Sequence, residues 1–451
     1  MIKCKHEISS KLIILLLCLI STIALFIRIQ YINHTDVYKP IRADARQYVL
    51  YGYNLAHHGI FSKEIPSSNT PSPDSFRSPG YPLLIALSFL LGGDNGFYPI
   101  VIYTQIILSV LLVPLTFCLG ILFLPLWGAT AAACLVALSP HLISMTSYLL
   151  TETLFAFIFI TAIICFYHAI KWQHVFLFIF AGFLFGYAYL TNETVLFIPF
   201  LLAIIALFTN GFRLKKIMEK QLLLKVSLFL FVFCLFPGGW TLYNINLPHD
   251  APKGSSRAIA ALSHGAYPDF IYKDSRFKYF PYREDPMQPA FGSSLDNFKK
   301  IFWTRFKERP GRYLRWYLLE KPYYLWSWNI LQGQGDVYVY PVITSLYKSS
   351  EIANATRESM KHLHPLILIL AIAGIPLLYI TYWRGKGAVN IPDTPIILFI
   401  ICIYFTLLYT IFAPWPRYSI PLRPILYLVA LWSLQAGGKF ISEKWKIPKH
   451  R

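Results

Sequence analysis

Eight long apolar runs dominate the chain, at residues 12–27, 101–123, 154–170, 175–190, 194–208, 222–236, 366–380 and 396–412. Most approach the roughly 20 residues that carry a helix across a bilayer core. Only 14% of the residues are charged, against about 25% in a soluble globular domain, so a soluble fold is excluded. The expected fold class is an all-α polytopic membrane protein with about 10–12 transmembrane helices and two exterior loops. With the last apolar segment after Pro421, eleven segments can be drawn if 81–91 and 128–138 both count, yet basic flanks at both termini require an even number. One of these two short segments is therefore expected to stop short of crossing, or the two share a broken or re-entrant path.

The formal net charge of +19 has a simple source in such a chain, because cytoplasmic loops of membrane proteins collect Lys and Arg. Lys3, Lys5 and Lys11, the loop with Arg213, Lys215, Lys216 and Lys220, the turn with Arg384 and Lys386, and the tail from Lys439 to Arg451 all flank apolar runs. These are expected on the cytoplasmic side, with both termini, and no nucleic-acid partner is expected. The seven cysteines lie in or beside apolar segments, so no disulfide framework is expected. Residues 12–27 lack a small-residue cleavage site and are read as a retained first helix.

Two polar stretches, 31–77 and 244–361, hold 15 of the 22 acidic residues. One helix separates each from a basic flank, which places both on the exterior face. The resulting plan is a first transmembrane helix (1–30), a first exterior loop (31–78), a transmembrane core (79–243), a large exterior loop or small domain (244–361), C-terminal transmembrane helices (362–438) and a basic cytoplasmic tail (439–451). Within the first loop, Tyr48, Tyr51 and Leu55 recur at helical spacing after Asp44, and Gly59 follows as a stop, which predicts an amphipathic helix at the membrane surface. Residues 66–73, rich in Ser and Pro, read as a loop. In the second stretch, Phe298, Phe302, Phe306, Tyr313 and Tyr317 predict helices that dock back onto the membrane, broken at Pro310 and Pro322.

Taken singly, the polar residues near the spans have ordinary readings. Asp44, between Arg42 and Arg46, is a solvated surface charge or an acid with a task. Arg77, ahead of Ser78, Pro79 and Gly80, opens a helix. Glu152 favours the positive end of its helix, pairs with a nearby Arg, or belongs to a site. Arg417 either snorkels to the interface or binds an anion. His57 and His58 are adjacent and point to different helix faces, with no acidic D-x-D beside them, so no metal or other cofactor is expected.

Read in order, Asp44, Tyr48, Gly52-Tyr53-Asn54-Leu55-Ala56, Gly59 and Arg77-Ser78-Pro79-Gly80-Tyr81-Pro82 resemble the first exterior loop of GT-C class membrane glycosyltransferases. The likeness is to the branch of the protein O-mannosyltransferases and the lipid A aminoarabinose transferases. Weaker matches follow in the same order: Ala137-Leu138-Ser139-Pro140 with Leu150-Thr151-Glu152, Gly182 to Thr191, and Trp415-Pro416-Arg417-Tyr418 with Pro421. Two positions depart from the pattern: Ala45 stands where the family often has a second acid, and Asn192-Glu193 where it commonly has Arg.

The resemblance implies an inverting glycosyltransferase, and the lack of a disulfide framework and of a retention signal points to a bacterial inner membrane. Such an enzyme would take a sugar from a polyprenyl-phosphate donor and pass it to a lipid, glycan or protein acceptor on the exterior face. Asp44 is the implied base, with Arg42, Tyr48, Arg77, Tyr81, Glu152, Arg417 and Tyr418 as substrate-binding candidates. The chemistry is consistent with that set, because an acceptor hydroxyl needs one positioned carboxylate and a departing phosphate needs cations rather than a second acid. A transporter or flippase of a lipid-linked saccharide would share the apolar bulk but should place charges near the bilayer midplane. A non-enzymatic assembly subunit is the third reading, suggested by the two departures.

Overall fold

The computed structural model describes residues 10–65, 70–208, 220–272, 281–331, 333–384 and 393–444. Lys3, Lys5, Arg213, Lys215, Lys216, Lys386, Lys446, Lys449 and Arg451 lie outside the described residues, as do 66–69 of the Ser/Pro-rich loop. Among the described residues the chain is all-α apart from one two-stranded ribbon. Five helices among the described residues are long and apolar enough to cross a membrane: Ser10–His34, Gly80–Gly120, Glu152–Trp172, Lys220–Ile245 and Glu351–Ile380. A bent pair, Leu126–Leu138 with Pro140–Ser147, makes a sixth, and Val175–Thr191, Glu193–Leu207 and Pro395–Ile411 are shorter apolar helices.

Helix α1 (Ser10–His34) packs against α3 (Gly80–Gly120) and α4 (Leu126–Leu138), while α2 (Ala43–His58) lies along α3. The run 81–91 is the first arm of α3. At 41 residues α3 would span about 60 Å if straight, twice a bilayer core, and it kinks at Gly93, whose φ of +62 is open to glycine. The run 128–138 ends where α4 turns by 46° into α5 (Pro140–Ser144). The cause is local: Pro140 drives Ser139 out of the helical region, to φ −63 and ψ 112. Arg28 of α1, fully buried, donates to the carbonyls that the bend exposes, Ala137 O at 3.1 Å and Val136 O at 3.3 Å, and to Ser109 Oγ at 2.8 Å. A buried guanidinium is thus held by the backbone it caps.

A hairpin of α6 (Glu152–Trp172) and α7 (Val175–Thr191) follows, then α8 (Ile198–Phe208) and α9 (Lys220–Ile245), which packs on α7. The second polar stretch carries α10 (Gly254–Gly265) and α11 (Leu295–Glu308), and the C-terminal part is α12 (Glu351–Arg384), α13 (Asp393–Ile411) and α14 (Arg423–Lys444). The aromatic stripe is helical and packs on itself: Phe298, Phe306 and Tyr317 lie 5.7, 6.0 and 5.8 Å from Phe302, between ring centres. Pro310 starts a new helix, whereas Pro322 follows a π-turn, Trp316–Glu320, inside a continuing helical run.

That run is anchored to the end of α13. Buried Lys321 donates to Thr410 O, Ile411 O and Phe412 O at 2.8, 3.2 and 3.1 Å, satisfying carbonyls that a helix end leaves free. Beside it, Phe270 stacks on Trp415 at 4.0 Å.

The two polar stretches form one body. Strand β1 (Asp36–Val37) pairs antiparallel with β2 (Val342–Thr344), with Asp36 opposite Thr344, and Ser75 N donates to Pro252 O at 3.0 Å.

Candidate active site

The N-terminus of α2 is made by a strained turn and a side chain from the other polar stretch. Ala43 sits at φ +45, a left-handed conformation that non-glycine residues rarely adopt. The Tyr340 hydroxyl accepts from Ala45 N at 3.3 Å and donates to Arg42 O at 3.2 Å, capping the helix from outside. Asp44 is thereby fixed in the first turn. The C-terminal stop is Gly59, at φ +67, whose N–H reaches Leu55 O at 3.2 Å.

Arg77 reaches Asp44 from the start of α3. Its approach depends on Gly80: a Cβ there would lie 2.6 Å from Thr191 Oγ1 and 2.7 Å from Leu190 O, so only glycine lets α3 begin against the end of α7. The turn before Arg77 is held by the buried Asp74 carboxylate, which accepts from the Tyr51 hydroxyl, from Lys63 N at 2.9 Å and from Phe76 N at 3.0 Å.

At the centre, one carboxylate is gripped by two guanidiniums. Arg77 Nη2 donates to Asp44 Oδ1 at 2.6 Å, and Arg417 Nη2 donates to Asp44 Oδ2 at 2.8 Å. Arg77 Nε donates to Gln47 Oε1 at 2.7 Å, and its guanidinium lies 5.1 Å from the Tyr48 ring centre. Arg417 Nε is also 2.8 Å from Glu152 Oε1, a close ionic contact without hydrogen-bond alignment. Burial alone would raise the Asp44 carboxyl, but Arg77 and Arg417 override it and hold the group well below the usual carboxylate range.

A cavity of about 330 Å³ opens beside this cluster. Arg77, Arg417, Glu152, Tyr48 and Tyr418 are among its lining residues, and Asp44 is reached through the arginines. Tyr418 is stacked on Tyr409, ring centres 5.0 Å apart. Leu196, Phe197, Leu408 and Phe412 give the cavity an apolar side. Its polar side is Ser78, Asn192, Glu193, Thr194 and Arg257, where Ser78 Oγ donates to Glu193 Oε1 at 2.8 Å and Arg257 Nη2 to Glu193 Oε2 at 3.2 Å.

The structure brings Asp44, Tyr48, Arg77, Glu152, Arg417 and Tyr418 together in one cluster. Two candidates stand apart. Tyr81 is fully buried one layer behind Tyr48, its hydroxyl donating to Gln105 Oε1 at 3.0 Å, and Arg42 is exposed over the Tyr340 ring at 5.8 Å. Neither lines the cavity. Arg257, Ser78 and Gln47 were missed. Arg257 carried no signal, being one of many cations in its stretch, whereas Ser78 follows Arg77 within the motif and Gln47 lies one turn from Asp44. His57 stacks on Tyr53 and stands 3.1 Å from Asp94, and no group of three or more His, Cys, Asp or Glu side chains that could hold a metal occurs among the described residues.

Comparison with known proteins matches residues 76–240 to the family described as dolichyl-phosphate-mannose-protein mannosyltransferase. No curated protein matches the sequence. Among solved structures, the Archaeoglobus fulgidus oligosaccharyltransferase aligns over 95% of this chain at 14% identity and a TM-score of 0.51, and the chain spans half of that protein's length. ArnT from Cupriavidus metallidurans, solved with undecaprenyl phosphate, aligns more loosely, with a TM-score of 0.37 at 12% identity over 98% of this chain and 82% of its own. Residues 76–240 thus resemble a membrane mannosyltransferase family in sequence, and the chain as a whole shares the fold of the Archaeoglobus fulgidus oligosaccharyltransferase.

Proposed function

We propose that the protein is an inverting glycosyltransferase that moves a sugar from a polyprenyl-phosphate donor to a hydroxyl of a lipid, glycan or protein acceptor. The reaction takes place on the face opposite the basic loops, the periplasmic side of a bacterial inner membrane, with residues 31–78 and 244–361 exterior and both termini cytoplasmic. The observation that carries the reading is the Asp44 carboxylate held between Arg77 and Arg417 at a cavity with one apolar and one polar side. The description of the matched family, whose donor is a lipid phosphate-linked sugar, supports the donor class.

The donor phosphate replaces Asp44 as the partner of the two guanidiniums, which then neutralise the charge that grows as the phosphate departs. Loosened from them, Asp44 becomes a stronger base and accepts the proton of the acceptor hydroxyl. The acceptor oxygen bonds to the anomeric carbon as the bond to the phosphate oxygen breaks. Attack from the face opposite the phosphate inverts the centre, and polyprenyl phosphate is released. The isoprenoid tail lies along Leu196, Phe197, Leu408 and Phe412. The placement of Glu152 and Glu193 at helix starts favours transfer over transport, which needs charge nearer the midplane.

The test is a panel of polyprenyl-phosphate sugars offered to the purified protein, with release of polyprenyl phosphate as the readout. Asp44→Asn is expected to lower turnover by roughly 100-fold or more while retaining affinity for polyprenyl phosphate. Full activity in a folded Asp44→Asn protein refutes Asp44 as the base, and failure of the native protein to bind any polyprenyl phosphate refutes the reading.

A further inference from the structure

The polar side of the cavity carries a second charge pair that the transfer step does not use. Glu193 follows the end of α7, and Arg257 projects from α10 in the other polar stretch, so the pair joins two parts of the chain. Their side chains are 33% and 29% exposed, and both line the cavity, so each keeps polar capacity facing the void. Ser78, the neighbour of Arg77, holds the other Glu193 oxygen at 2.8 Å. For a donor whose phosphate lies at Arg77 and Arg417 and whose tail follows the apolar residues, Glu193 and Arg257 are the lining charge pair that neither the phosphate nor the tail occupies.

We infer that Glu193 and Arg257 form the sugar subsite of the donor and select an uncharged, polyhydroxylated sugar. This rests on the transferase reading above. The pair is neutral as a unit and offers both acceptors and donors: the carboxylate takes the protons of neighbouring hydroxyls, and the guanidinium gives protons to their oxygens. A charged sugar meets a like charge whichever way it turns. An ammonium group able to reach Glu193 lies against Arg257, and a uronate able to reach Arg257 lies against Glu193. Juxtaposed like charges reject a wrong partner even where its shape fits.

The experiment compares polyprenyl phosphates carrying a neutral hexose, an aminosugar and a uronic acid, with bare undecaprenyl phosphate as a control for the phosphate and tail. The native protein is expected to turn over the neutral donor in preference to both charged ones. Glu193→Gln should lower kcat/KM for the neutral donor by about 10- to 100-fold, the loss typical of a hydrogen bond to a charged group, while binding of bare undecaprenyl phosphate is unchanged. Arg257→Gln leaves Glu193 uncompensated and should raise the ratio of aminosugar to neutral-sugar turnover, a change of direction that general damage does not produce. Native preference for a charged donor overturns the subsite, as does an Arg257→Gln protein with an unmoved ratio. If bare undecaprenyl phosphate does not bind the native protein, the transferase reading fails, and this inference with it.

Discussion

Replacement of Arg417 by Gln tests the central charge cluster with a magnitude set by burial. In the intact protein Arg417 serves two acids at 2.8 Å each, Glu152 and Asp44. The Glu152 side chain is 7% exposed and no other cation among the described residues pairs with it, whereas Asp44 is 30% exposed and keeps Arg77 at 2.6 Å. Most of the loss therefore falls on Glu152. Breaking a buried pair by removing one partner costs about 3–5 kcal/mol, chiefly because a charge is left uncompensated, and the partly exposed Asp44 adds little to that. The companion change Glu152→Gln removes the orphaned charge, so the double variant should recover about 2 kcal/mol relative to Arg417→Gln alone. Unfolding curves of the native protein, the two single variants and the double variant in one detergent measure the coupling. The reasoning is refuted if Arg417→Gln is as stable as the native protein, or if the two losses simply add within about 0.5 kcal/mol.

Three further outcomes follow from the same geometry. Because Arg77 and Arg417 depress the Asp44 carboxyl against the effect of burial, its ionised form contributes stability above the ordinary value of about 4, lost only as pH falls through the lower folded value. The unliganded protein should thus show no Asp44 titration between pH 5 and 8, and Arg77→Gln should move the onset of acid destabilisation upward, as read by unfolding at stepped pH. Gly80→Ala puts a methyl group 2.6 Å from Thr191 Oγ1 and 2.7 Å from a backbone oxygen, so it should cost about 1–3 kcal/mol in stability and lower turnover by displacing Arg77. Lys321→Met keeps the stem but leaves three carbonyls at the end of α13 unserved, for about 1–3 kcal/mol, measurable as earlier proteolysis of the 310–326 segment.

Much of this was legible in the sequence, and the exceptions have physical causes. Asp44, Arg77, Glu152 and Arg417 are charged or motif residues at the borders of apolar runs, where a charge has few reasons to be. The bend after α4 was implicit in Ser139-Pro140, since proline restricts the residue before it. The continuity of 81–91 with 101–123 was not, because Gly92, Gly93 and Gly96 look like a turn, while only Gly93 among them takes a positive φ. Tyr340 and Arg257 act through partners 295 and 64 positions away, Ala45 and Glu193, and neither hydropathy nor periodicity encodes such distances.

The span between Asp44 and Arg417, 373 positions, bears on how the protein is made. A nascent chain inserted from its N-terminus acquires Asp44 and Arg77 early, but it lacks the second cation until residue 417 of 451 has emerged. Incomplete chains, including those stalled before the last helix, therefore cannot assemble the two-arginine grip. The grip therefore closes only after both polar stretches and the helices between them have been made.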